Sequence, residues 1–120
     1  MPERCPLLDG LAVVEIGEGI ALAYAGRILA DLGASVVKVD PEADEVIRPR
    51  RGLSECLNAG KVTLAVGHGD DGARAALASA VDGADVLLVS DHTAPHAALG
   101  RSAADLRAHR PELIVGHCRP

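Results

Sequence analysis

Gly17, Glu18 and Gly19 lie between an apolar run, Ala12 to Ile16, and a stretch of helical spacing, and Asp40 closes the next β-branched run. A strand, a glycine turn and a helix start bring backbone N–H groups to one point, where the helix dipole favours negative charge. In the dinucleotide fingerprint G-x-G-x-x-G the glycines let the backbone approach a pyrophosphate, and an acid ending the second strand holds a ribose. Gly17, Gly19 and Asp40 suit that chemistry, but Leu22 stands at the third glycine position and Glu18 would set a like charge beside the pyrophosphate. A tight strand-to-helix turn accounts for both glycines without any ligand. An NAD(P)-type dinucleotide-binding module is therefore kept as an alternative rather than the leading reading.

The remaining reactive side chains form no compact motif. Arg48, Arg50 and Arg51 surround Pro49 and could reach a phosphate, or could be a solvated basic loop. His68, His92, His96, His109 and His117 make no tight ligand set, and Pro95 interrupts the one pair four residues apart. Cys5, Cys56 and Cys118 are widely spaced and odd in number, which suits reduced thiols better than a zinc site or a disulfide framework. Net charge is −5, and there is neither a basic stripe nor a set of stacking aromatics, so nucleic acid is not an expected partner. The start Met1-Pro2-Glu3-Arg4 lacks an apolar signal region and no run of ~18 apolar residues occurs, so a cytoplasmic protein with no membrane partner is expected.

The elements that must position these groups come from hydrophobic periodicity. Tyr24 is the only aromatic residue, so the core has to be built from Val, Leu, Ile and Ala. Short β-branched runs at 12–16, 35–39, 61–66, 84–89 and 112–116 predict five strands. Between the first two, Ala21, Tyr24, Ala25, Ile28, Leu29 and Leu32 fall on one helical stripe, with Gly33 as its stop. The span from Glu42 to Asn58 is charged and aperiodic and reads as a long loop. Asp70 and Asp71 suit the start of a helix carrying Ala73, Ala76, Leu77, Ala80 and Val81; Leu99, Ala103 and Leu106 mark another. The alternation predicts an α/β fold: a Rossmann-like, doubly wound parallel sheet of about five strands, helices on both faces, in one domain over 1–120. The expected core is Val13, Val14, Ile28, Leu29, Val36, Val37, Leu64, Leu77, Val86, Leu88 and Ile114.

Several strings resemble the opening of class III CoA-transferases of the CaiB/BaiF type. Leu8 to Glu15 (LDGLAVVE) is similar to that family's L-x-G-L-x-V-L-D, and Ala30 to Pro41 (ADLGASVVKVDP) to its A-D-L-G-A-x-V-I-K-V-E-P. Leu57 to Lys61 (LNAGK), Gly83 to Leu88 (GADVLL) and Leu106 to Ile114 (LRAHRPELI) resemble its L-N-x-G-K, A-D-V-L-I and L-R-x-x-N-P-x-L-I strings, in the same order across almost the whole chain. The resemblance implies CoA or acyl-CoA held as a substrate ligand on this segment, with no covalently bound cofactor. It implies a downstream Asp nucleophile in transferases and downstream acid–base residues in racemases. On that basis no residue of this chain is expected to be catalytic. The chain is expected to be an unfinished segment, inactive alone, that self-associates or needs a second polypeptide carrying the downstream part; a non-catalytic interaction domain is the other alternative.

Three loops depart from the family pattern: Ala21-Leu22-Ala23 replaces an A-G-P-type turn, Gly67-His68-Gly69 replaces D-x-K, and Val89 to Ala94 replaces E-N-F-R-P-G. Any surviving ligand site is expected at the strand C-termini. Its expected lining is Gly19, Ile20 and Ala21, then Val66, Gly67, His68 and Gly69, then Ser90, Asp91 and His92, with no metal.

Overall fold

A computed structural model describes residues 6–40, 51–65, 71–90 and 100–118. Its centre is five short strands, β1 Ala12–Ile16, β2 Ser35–Asp40, β3 Val62–Ala65, β4 Val86–Val89 and β5 Ile114–His117, all parallel, in the order β3-β2-β1-β4-β5. The chain builds outward from β1 to one edge, then crosses to the other side of β1 to lay down β4 and β5. That crossing makes the β1/β4 boundary the switch point of a doubly wound sheet, the place where such sheets open a crevice at their strand C-termini.

Period-two alternation along the strands splits the interior into two layers. Val13, Val36 and Leu88 face α1, Ile20–Asp31, which lays Leu22 and Ala30 on them. Val14, Ile16, Val39, Leu87 and Val89 face the other way, against Leu77 and Val81 of α3, Asp71–Asp82, and Leu106 of α4, Ala103–His109. Both faces are covered, as parallel strands this apolar require. Ser102 and Asp105 start α4 with a reciprocal capping box, Ser102 Oγ accepting from the Asp105 N–H at 3.1 Å and Asp105 Oδ2 from the Ser102 N–H at 3.2 Å.

Three expectations need correction. The span read as loop through Asn58 ends in a helix, α2, Arg51–Asn58, whose Leu57 and Leu53 pack with Ala23 of α1 in a small cluster of their own. That cluster uses only two leucines of eight residues, too few to show as a stripe. The buried face of α1 is Leu22, Ala23, Gly26 and Ala30, not the stripe through Tyr24 and Ile28, which are 56% and 43% exposed. The larger side chains Tyr24 and Ile28 lie outward because a helix seated closely on a sheet beside α2 has room inside mainly for small residues. Ile114 is also outside the core, 62% exposed, because β5 is an edge strand. Val13, Val14, Val36, Leu77 and Leu88 are buried as expected; Leu29, Val37, Leu64 and Val86 are half-buried.

Candidate functional site

At the C-terminal end of β1 the chain turns through Gly17 (φ 135°) and Gly19 (φ 109°) into α1. Both glycines sit in the region that side chains disfavour, so the turn itself demands them. A Cβ on Gly17 would run into the Ser90 side chain, the first residue beyond β4; a Cβ on Gly19 would meet nothing within 4 Å. The turn is thus packed on one side and open on the other. Ser90 is buried, and its Oγ accepts the Glu18 N–H at 3.3 Å while its own N–H donates to the Ile16 carbonyl at 3.4 Å. Ser90 therefore ties the end of β4 to the glycine turn across the switch point. Ile20 and Ala21, exposed, open α1 there, and Gly19 at the cap has no side chain to satisfy the first helical N–H groups.

Beneath that turn lies a buried charge cluster. Glu15 is 1% exposed on the α1 side of β1, beside Lys38, its register partner on β2. Lys61, between α2 and β3, donates from Nζ to Glu15 Oε1 at 2.7 Å, to the Ala23 carbonyl of α1 at 2.8 Å and to Asn58 Oδ1 at 3.3 Å. Lys38 Nζ reaches the same Asn58 Oδ1 at 2.9 Å and lies 3.5 Å from Glu15 Oε2. That second carboxylate oxygen accepts no hydrogen bond and is held by charge alone. Burial pushes the Lys61 ammonium below its ordinary value, against the opposing pull of Glu15. Gly26 makes room for the cluster: a Cβ there would overlap Glu15 Oε1.

The sequence profile of CoA-transferase family III matches residues 8–119. The chain belongs to CoA-transferase family III. It is 31% identical to a succinyl-CoA:mesaconate CoA-transferase of Haloarcula marismortui over 93% of this chain and 31% of that protein. It is 32% identical to a probable fatty acyl-CoA transferase of Mycobacterium tuberculosis over 95% of this chain and 32% of that one. The solved structure of a CaiB/BaiF family protein from Brucella suis superposes with a TM-score of 0.75 at 28% identity, covering 94% of this chain and 33% of that one. The chain spans about a third of the length of these relatives.

Membership in CoA-transferase family III gives the strings noted in the sequence a common physical explanation: three of them meet in the charge cluster. Glu15 ends the first, Lys38 lies in the second, and Asn58 and Lys61 belong to the third. Reading the strings as scaffold missed this. The available signal was a charged residue in the middle of two strands otherwise apolar on both faces. Of the expected lining, Gly19, Ile20, Ala21 and Ser90 come together at the β1/β4 edge; Val66, Gly67, His68, Gly69, Asp91 and His92 lie outside the described residues, as do Arg48 and Arg50. Leu22, at the fingerprint's third glycine position, is buried against the sheet, so the helix makes its close approach at Gly26, where it accommodates a carboxylate and not a pyrophosphate. Among the described residues no group of His, Cys, Asp and Glu could hold a metal ion, and no helix is long and apolar enough to cross a membrane.

Proposed function

We propose that this chain supplies the CoA-facing layer of a family III acyl-CoA transferase or racemase. CoA or acyl-CoA lies at the β1/β4 edge, over the Gly17–Gly19 turn and the first N–H groups of α1. The observation that carries this reading is the positive-φ glycine turn at the switch point of the sheet, where Gly19 begins α1 without a capping side chain of its own and a Cβ on it would meet nothing within 4 Å among the described residues. Family membership supports a CoA ester over a nicotinamide dinucleotide, and Leu22 in place of the third glycine is consistent with that reading.

The 120-residue chain is proposed to lack turnover by itself, because five of its described acids are committed elsewhere. Glu15 is enclosed by two lysines, Asp31 pairs with Arg27, Asp85 accepts the Ala12 N–H at the opposite end of the sheet, Asp105 caps α4, and Glu112 pairs with Arg110. None of these is presented at the ligand edge, where Glu18 is the exposed described acid, whereas acyl transfer through a carboxylate needs one within attack distance of the thioester. The test is calorimetric titration of the purified chain with CoA and with NAD, alongside an assay with short acyl-CoA donors and carboxylic acid acceptors. Saturable CoA binding, no response to NAD and no turnover are expected. NAD binding without CoA binding would overturn the ligand assignment, and turnover lost on Glu18→Gln, Asp40→Asn or Asp91→Asn would place the chemistry here.

A further inference from the structure

The charge cluster is more than a structural clamp. Its described side chains hold two ammonium groups, Lys38 and Lys61, against one carboxylate, Glu15, all enclosed. The group that both ammonium ions share is the side-chain amide oxygen of Asn58, at 2.9 and 3.3 Å. A carboxylate at that position would accept the same two hydrogen bonds, charge-assisted, and would balance the cluster. With Asn58 there, the described side chains of the cluster carry one more positive charge than negative.

That charge sits behind the start of α1. Glu15 is two strand residues before Gly17, and Lys61 holds the carbonyl of Ala23, in the helix's opening turns. The field of an enclosed ammonium is weakly screened, and it adds to the positive end of the helix dipole. It also opposes Glu18, the exposed carboxylate in the turn itself, whose charge would otherwise repel an anionic ligand from the open side of Gly19.

We infer that Asn58 is an electrostatic positioning residue: it preserves an excess buried positive charge from Lys38 and Lys61 beneath the β1–α1 turn, and that charge favours an anionic, phosphate-bearing ligand at the β1/β4 edge. The inference rests on the reading that CoA binds there. It predicts that stability and affinity move in opposite directions, which a purely structural role for Asn58 does not.

The experiment compares the 120-residue chain with its Asn58→Asp variant, by thermal melting and by calorimetric titration with CoA at low and high salt. The variant is expected to melt higher and to bind CoA about tenfold more weakly at low salt, the effect one unit charge exerts over roughly 10 Å at an effective dielectric of ~20. High salt should narrow that gap. A variant that melts higher with unchanged CoA affinity would overturn the inference and leave the ligand reading intact. A variant that melts lower would show that the cluster has no excess charge, and would overturn it too. Wild-type chain that fails to bind CoA would overturn both, which separates failure of the ligand reading from failure of this one. Asn58→Leu, which removes the shared acceptor without adding charge, should lower the melting temperature; a rise would also contradict the inference.

Discussion

Glu15 and Lys61 show how a charge survives in a core built of aliphatic side chains. Each is enclosed and held by geometry short enough to offset desolvation, and removing Glu15 would leave both Lys38 and Lys61 without their described carboxylate. Glu15→Leu should therefore destabilise the chain by about 3–5 kcal/mol in urea unfolding, and by more than Lys61→Met, which leaves the Lys38–Glu15 pair in place. Gly26→Ala ought to gain helix propensity yet lose stability, by about 1–3 kcal/mol, because its methyl overlaps Glu15 Oε1. The depressed Lys61 value has a pH consequence of definite sign. A base whose folded pKa lies below its unfolded value near 10.5 binds more protons when unfolded, so its contribution to stability rises with pH between the two. Relative to a Lys61→Met variant, the wild type should thus gain stability as the pH of the unfolding measurement is raised towards 10.5. Cys118 titrates in the other direction: burial, then the Glu15 charge, raises its thiol, so its thiolate appears later than a free cysteine's.

At the scale of elements, α1 is the clearest case of a pattern read correctly in type and wrongly in face. The strands were legible because β-branched runs between glycine and proline breaks have few other meanings, and the helix was legible from its 3.6-residue period. Its orientation was not. Tyr24 and Ile28 carry the larger apolar side chains, but the sheet and α2 together leave room only for Leu22, Ala23, Gly26 and Ala30. Leu22→Ala should cost about 2–5 kcal/mol, whereas Ile28→Ala should stay within about 0.5 kcal/mol. Leu29, half-buried, falls between, rather than at the value a fully enclosed leucine would give. The helix α2 was illegible for a related reason: it is seated largely by polar contacts, Asn58 with both lysines and Arg27 with the Cys56 carbonyl, and such contacts leave no hydrophobic period. The proposed ligand edge follows from fold type alone, since open α/β sheets bind at strand C-termini; what the sequence could not supply was that Ser90 faces inward to hold the turn.

The whole molecule is a parallel sheet with both faces covered and both edges open among the described residues. Val62 on β3 and Ile114 on β5 are exposed, each on an edge strand of the sheet. Edge strands with exposed β-branched residues invite pairing, so the isolated chain is expected to self-associate in sedimentation at high concentration, and Ile114→Lys to reduce that association without changing the melting temperature by more than a few degrees. The proposed function stands or falls on where the ligand lies. Titrating CoA into isotopically labelled chain and following backbone amide resonances tests it directly. The account predicts the largest shifts at Gly19, Ile20, Ala21 and Ser90, with Glu112 to His117 unmoved. Shifts concentrated along β5 or on the outer face of α3, with the glycine turn silent, would contradict it.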